Sequence, residues 1–191
     1  MQGMRAGFAL TGSFCTFAQV LPQVKALAEA GAQVQPILSY HVQVLDTRFY
    51  RADDLRQDLL KITGNVPWAT LQEVEPIGPK KLLDLLVIAP CTGNTLAKLA
   101  SGITDTPVTL AAKSQLRNGG PVLVAVSTND GLAAAGKNIG LLLATRNLYF
   151  VPFRQDDPQG KPTSLVADFA RLPDAAKAAL AGRQVQPLLC G

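Results

Sequence analysis

The stretch Leu86-Val87-Ile88-Ala89-Pro90-Cys91-Thr92-Gly93-Asn94-Thr95-Leu96-Ala97-Lys98-Leu99-Ala100 constrains the fold more than any other part of the chain. A short apolar run ends at Pro90. A small polar turn with one glycine follows, and helical spacing opens at Asn94 or Thr95. Strand, tight turn and helix N-terminus, in that order, is how α/β proteins build sites outside the carboxyl ends of their strands, where backbone N–H groups and the helix dipole face a crevice.

The same pattern recurs along the chain. Residues 4–10 read as a buried first strand, and Thr11-Gly12-Ser13 turns it into a helix over 14–30. Phe17, Val20, Leu21, Val24, Leu27 and Ala28 fall on one face of that helix. Pro22 is expected to kink it or weaken its early turns, and Gly31 to stop it. Residues 33–38 form the second strand, closed by Ser39. Residues 40–51 show no clear period, and Thr47-Arg48-Phe49 reads as a loop. A helix is expected over 53–62. Residues 68–75 suit a short strand, a turn or a brief helix, and the prolines of 76–79 exclude regular structure.

Residues 84–89 are the third strand and 95–101 a helix. Thr106 or Asp105 caps the next helix, which Pro107 opens and Asn118-Gly119-Gly120 ends. Residues 121–126 are a fourth strand, apolar throughout as a central parallel strand is, with Ser127-Thr128-Asn129-Asp130-Gly131 as its polar exit. A helix over 138–146, a fifth strand over 148–151, a long loop over 152–163 and a last helix over 172–180 complete the chain. Strands alternating with helices predict a flavodoxin-like, Rossmann-like α/β fold: a doubly wound parallel sheet of five or six strands in three layers. A single domain over residues 1–191 is expected, with its core at about 4–180 and a tail after it.

Composition removes several function classes. Apolar residues make up 48% and charged residues 17% of 191, which excludes a disordered chain. The net charge is +4, but the basic residues are scattered, with Lys80-Lys81 the one adjacent pair. That pattern favours small anionic ligands over a nucleic-acid groove. Cys15, Cys91 and Cys190 lack metal-ligand spacing, and His41 is the sole histidine, so no metal site is expected. No leader pattern and no apolar run near ~18 residues is present, which predicts a cytoplasmic chain.

Several residues carry two readings each. Gly12 and Ser13 either hold a phosphate at the first helix or serve as turn and N-cap. Ser39 either adds a hydroxyl to that site or simply ends a strand. Cys91 has no histidine or second cysteine to activate it, so a small wall residue is expected rather than a nucleophile. Asn94 caps its helix or points its amide at a ligand. His41 is a general base or an ordinary surface histidine. Lys113, Arg117, Arg154 and Lys161 are solvated charges or partners for a carboxylate ligand.

Together, Gly7-Phe8-Ala9-Leu10-Thr11-Gly12-Ser13, the stretch from Ala89 to Ala100, and Gly102-Ile103-Thr104-Asp105 resemble the flavoproteins related to homo-oligomeric FMN-containing cysteine decarboxylases. Thr47-Arg48-Phe49, Glu75-Pro76-Ile77-Gly78-Pro79-Lys80, Val126-Ser127-Thr128-Asn129-Asp130 and Val151-Pro152-Phe153-Arg154-Gln155-Asp156-Asp157-Pro158, with Lys161-Pro162 and residues 164–168, are similar to one branch, the B subunits of dipicolinate synthases. The resemblance implies that Gly12, Ser13 and Ser39 hold the phosphate of FMN. It implies that Ala89, Pro90, Cys91 and Thr92 line the flavin, largely by backbone. Ser127, Thr128 and Asn129 occupy the turn that grips substrate in the decarboxylases, with Ser127 and Thr128 on the cofactor side. Asn94 and Asn129 then face the substrate, and Arg154 and Lys161 are the candidates for its carboxylates.

The catalytic histidine that the decarboxylases carry before the third strand is absent from Glu75-Pro76-Ile77-Gly78-Pro79, and the loop over 152–163 lacks their cysteine. The resemblance therefore implies oxidation of a dihydrodipicolinate-type ring to pyridine-2,6-dicarboxylate rather than decarboxylation. The implied setting is the mother cell of a spore former. The implied partner is the synthase's A subunit, which carries NAD(P), and the implied assembly is a trimer or a multiple of one. The alternatives are a decarboxylase of a cysteine-type substrate and a non-catalytic scaffold for that A subunit.

Overall fold

The computed structural model describes residues 1–190. Its centre is a seven-stranded sheet. Strands β1 (Arg5–Leu10), β2 (Gln33–Leu38), β3 (Leu85–Cys91), β4 (Val122–Thr128) and β5 (Leu148–Phe150) are parallel, in the order β2-β1-β3-β4-β5. This is the flavodoxin-like order, with the winding direction reversing between β1 and β3. The last two strands, β6 (Phe153–Arg154) and β7 (Leu165–Ala167), were not expected. They run antiparallel, with β7 paired to the end of β4 through Ser127 and Thr128. Runs of two and three residues are too short to show a period, so only pairing reveals them.

The apolar residues of the strands alternate between two faces. Phe8, Leu10, Val87, Ala89 and Ala125 pack against α1 (Phe17–Glu29), α3 (Ala52–Thr63) and α8 (Leu172–Leu180). Ala9, Ile88, Cys91, Val124 and Val126 pack against α5 (Gly93–Ala100), α6 (Pro107–Arg117) and α7 (Gly136–Leu143). Two short helices, α2 (Tyr40–Val44) and α4 (Leu71–Val74), fill connections that showed no clear period. The result is the expected three-layer fold, because β3 and β4 are covered on both sides and are apolar at nearly every position.

Local details depart from expectation for identifiable reasons. The first helix opens as a tight 3-10 turn over Phe14–Thr16 before α1 begins. Pro22 lies inside α1, yet the helix continues through it, because Pro22 and Ala18 both face solvent and the Ala18 carbonyl is free to bond water. Strand β3 runs on through Pro90 to Cys91, with a register shift against β4 between Ile88 and Cys91. Thr106 caps α6 in a reciprocal pair with Thr109. After α8, the side-chain amide of Gln184 accepts from the Phe150 N–H at 2.8 Å and donates to the Phe150 carbonyl at 2.7 Å, binding the tail along β5.

At the reversal point, the buried Thr11 joins two strand exits. Its hydroxyl donates to the Pro90 carbonyl at 2.7 Å and accepts from the Thr92 N–H at 3.0 Å. Thr11 also donates its own N–H to Pro90 at 3.3 Å. Replacing Thr11 by valine keeps the shape but leaves the Thr92 N–H without its acceptor. Thr11→Val is expected to lower stability to urea by about 1–3 kcal/mol, the usual cost of orphaning such a group.

The Tyr50 hydroxyl donates a hydrogen bond to the Asp58 carboxylate. Partial burial, and then the Asp58 carboxylate, push the Tyr50 phenol up to about 12, while Tyr50 holds the Asp58 carboxyl below its usual range. Because the folded value exceeds the unfolded one of about 10, this stabilisation is complete below pH ~10 and is lost as pH rises towards 12. Tyrosinate absorbance is expected to show a late-ionising component that is absent in Tyr50→Phe, whose stability falls less across that window.

Candidate functional site

All five parallel strands end at the same edge, so their exits converge there. The exit of β1 supplies Gly12 and Ser13, that of β2 Ser39, that of β3 Thr92, and the end of β4 Ser127 and Thr128. Two basins share Gly12 and Thr92. The first, of about 440 Å³, adds Ser13, Ser127, Thr128, Asn129, Lys161 and Ser164. The second, of about 580 Å³, adds Ser39, His41, Asn94 and Lys98.

Ser13 occupies the N-cap position of the first helical turn, as the sequence suggested, but does not cap it with its side chain. Its side chain makes no capping bond, and its carbonyl instead accepts from the N–H and hydroxyl of Thr16. The freed hydroxyl lies 2.6 Å from the Ser127 hydroxyl, so the exits of β1 and β4 present a paired donor and acceptor in one basin. Among the described residues, the N–H groups of Gly12, Phe14 and Cys15 are not spent on backbone carbonyls. Gly12 has no packing reason to be glycine. A Cβ there would meet only the Phe14 ring, at 3.5 Å, and the backbone does not take a positive φ. The missing side chain therefore leaves room in the basin, not in the core. This donor set with an open approach fits a phosphate group.

Asn94 does not cap α5. Thr92 does, accepting from the Thr95 N–H at 3.3 Å. Asn94 is left exposed, with its side chain lining the second basin beside Ser39. Gly93 sits where a Cβ would lie 2.7 Å from the Thr128 hydroxyl and 2.8 Å from the Asp130 carboxylate, so a larger residue there would have to displace those two side chains. Ala89, Pro90 and Cys91 are fully enclosed behind the basins. Burial alone pushes the Cys91 thiol far up, which leaves it an inert wall residue.

The loop after β6 is ordered by its own polar groups. Gln155 donates to the Pro162 carbonyl at 2.8 Å, Asp157 accepts from the Gly160 N–H at 2.9 Å, and Thr163 donates to the Asn129 carbonyl at 2.7 Å. The Ser164 hydroxyl first, and Lys161 after it, hold the Asp156 carboxyl below the usual range, with Lys161 3.5 Å from Asp156. Lys161 thereby reaches the first basin. Arg154 does not: it is exposed on β6 and lines neither basin. Lys113 and Arg117 line a separate apolar groove with Leu99 and Ile103. Among the described residues, no group of three or more acidic, histidine or cysteine side chains is placed to hold a metal ion, and no helix is long and apolar enough to cross a membrane.

Several residues of the first basin were not singled out as site residues from the sequence, Arg48 and Phe49 among them. Arg48 and Phe49 sit on the turn between α2 and α3, with the Arg48 guanidinium 4.7 Å from the centre of the Phe49 ring. The signals in the sequence were an aperiodic segment with an aromatic beside an arginine, and the place of Thr47-Arg48-Phe49 among the stretches similar to the B subunits of dipicolinate synthases.

A profile of the flavoprotein family matches residues 1–139. The B subunit of dipicolinate synthase from Bacillus subtilis (strain 168) is 43% identical over 189 residues, 99% of this chain and 94% of that one. The crystal structure of the corresponding B subunit from Bacillus halodurans superimposes with a TM-score of 0.92 at 48% identity, covering 100% of this chain and 97% of that one. DmrB of Burkholderia xenovorans, solved in complex with FMN and described as a cubic protein cage for redox transfer, has a TM-score of 0.69 at 20% identity, over 93% of this chain and 96% of that one. That likeness is one of fold. A match over more than half the length, with a relative this similar from end to end, has one consequence: the chain belongs to the flavoprotein family.

Proposed function

We propose that the chain is the flavin-binding B subunit of a dipicolinate synthase. With an A subunit that carries NAD(P), it oxidises a dihydrodipicolinate-type ring to pyridine-2,6-dicarboxylate in the mother-cell cytoplasm during sporulation. The observation that carries this reading is the Gly12-Ser13 turn: a hydroxyl released from capping and a glycine with no packing role, at the edge of an open basin. The end-to-end likeness to the B subunits of dipicolinate synthases supports it.

In this reading Gly12, Ser13 and Ser39 hold the phosphate of FMN. Thr92, Ser127 and Thr128 line the flavin, and the enclosed Ala89, Pro90 and Cys91 form the wall behind them. Asn94, Asn129 and Lys161 face the substrate. FMN, when bound, supplies a two-electron acceptor. Loss of a hydride and a proton from the dihydro ring is driven by aromatisation, so the chain's task is chiefly positioning. It must hold two carboxylates and turn the reacting carbon toward the acceptor. The hydroxyl and amide groups of the basins are suited to that task, and the absence of histidine from Glu75-Pro76-Ile77-Gly78-Pro79 disfavours the decarboxylase alternative. The chain is further proposed to form a homo-oligomer, a trimer or a multiple of one, with the site between copies.

Ser13→Asp places a carboxylate against the phosphate. After exposure to excess FMN and desalting, the unaltered protein is expected to keep a flavin spectrum and Ser13→Asp to be colourless. Gly12→Val fills the basin without touching the core, so it is expected to keep the melting temperature within a few degrees and to lose FMN at least tenfold. If both variants retain flavin, the phosphate assignment is wrong. An unaltered protein that stays colourless yet restores dipicolinate formation by the A subunit supports the scaffold reading instead. Release of carbon dioxide from a cysteine-terminated substrate overturns the oxidation. Assays with and without FMN, in the presence of NAD(P)+ and the A subunit, distinguish a flavin from a nicotinamide as acceptor.

A further inference from the structure

The turn that carries Arg48 and Phe49 is built with unusual economy for an aperiodic segment. The Thr47 hydroxyl accepts from the N–H groups of Phe49, at 3.2 Å, and Tyr50, at 3.1 Å. The Thr47 N–H donates to the Tyr50 carbonyl at 2.9 Å. Tyr50 is itself fixed by Asp58 and by an edge-on contact with Phe17. Asp46 accepts from the Ala52 N–H at 2.9 Å and closes the segment onto α3. The turn is thus pinned from both ends, while the two side chains between the pins are left exposed.

Their exposure has no explanation in the fold. Phe49 keeps 48% of its surface accessible, although it is a large aromatic beside a well-packed core. Arg48 has no carboxylate partner among the described residues, whereas Arg51, three positions on, reaches both Asp46 and Asp54. Arg48 instead stacks on Phe49, which limits its rotamers and holds a planar cation at the rim. The same basin receives Lys161 from the loop after β6. Two cations from two separate loops, one of them shaped for bidentate binding, and an aromatic face thus border one cavity of about 440 Å³; Asp156, which also lines it, stands 3.5 Å from Lys161, so Arg48 is the cation without a carboxylate of its own.

We infer that Arg48 is the second carboxylate anchor of the substrate, taking one carboxylate of the ring bidentately while Lys161 takes the other, with Phe49 beside the ring plane. The inference rests on the dipicolinate reading and names the specificity element within it. It replaces Arg154, which lies outside the basin. An unpaired guanidinium fits a planar carboxylate better than a lysine does, since it offers two parallel N–H donors to the two oxygens. A ring with carboxylates at positions 2 and 6 uses both cations, and a ring with one carboxylate uses only one.

The test is calorimetric titration of the FMN-loaded protein with pyridine-2,6-dicarboxylate and with pyridine-2-carboxylate. The unaltered protein is expected to bind the dicarboxylate at least tenfold more tightly. Arg48→Ala is expected to lose that preference while retaining FMN, and Arg48→Lys to recover only part of it. Arg154→Ala is expected to bind as the unaltered protein does. If Arg48→Ala binds the dicarboxylate as tightly as the unaltered protein, the Arg48 assignment fails and the dipicolinate reading stands. If Arg48→Ala loses FMN in step with the dicarboxylate, Arg48 serves the cofactor and the assignment fails. If the unaltered protein binds neither ring, the substrate reading fails and takes the assignment with it.

Discussion

One hydroxyl holds the functional edge together. Thr11 is buried at the point where the sheet reverses its winding, and its side chain both donates to Pro90 and accepts from Thr92. The backbones of β1 and β3 add one bond here, from the Thr11 N–H to the Pro90 carbonyl at 3.3 Å, and Pro90 has no N–H to return it. Without the hydroxyl, that single backbone bond would be left to hold the exits of β1 and β3 together at this point. With it, Gly12 and Thr92 stay adjacent, and both basins share them as a common wall. A threonine is suited to the place because one oxygen can serve as donor and acceptor at once.

The edge so fixed is rich in hydroxyl and backbone N–H groups and poor in strong acids and bases. Cys91 is silenced by burial, and the carboxylate nearest the first basin, Asp156, is already engaged by Ser164 and Lys161. Such a surface is suited to holding a ligand in one orientation, with the reactivity coming from the cofactor or the ring. The polar pins of the Thr47–Tyr50 turn and of the loop after β6 belong to the same logic. Each spends small polar side chains on its own backbone, so that a charged side chain is presented from a rigid support.

Layer order, helix faces and the central strands were legible in the sequence because β1, β3 and β4 are continuous apolar runs and α1 keeps a clean 3.6-residue period through Phe17, Val20, Val24 and Leu27. What escaped was set by contacts between distant segments. The antiparallel pair β6 and β7 exists only through pairing with β4. Ser13 looks like a cap until the Thr16 hydroxyl is seen to take its carbonyl and Ser127 its hydroxyl, the latter from 114 positions away. Asn94 looks like a cap because Thr92, two positions earlier, reads as part of the turn. Arg48 and Arg154 are indistinguishable as letters, and only the path of the backbone brings one to the basin and leaves the other outside.

The amide of Gln184 on Phe150 has a consequence for how such a chain behaves among copies of itself. Among the described residues β5 pairs with a strand on one side only, so its outer edge has N–H and C=O groups that a passing strand could meet. A single side-chain amide, giving one bond and taking one, imitates a neighbouring strand for one residue and stops there. The sheet is thereby terminated without a further strand. A protein that associates with its own kind through chosen surfaces gains from that stop, since a rung of the open edge, at Phe150, is occupied by its own tail.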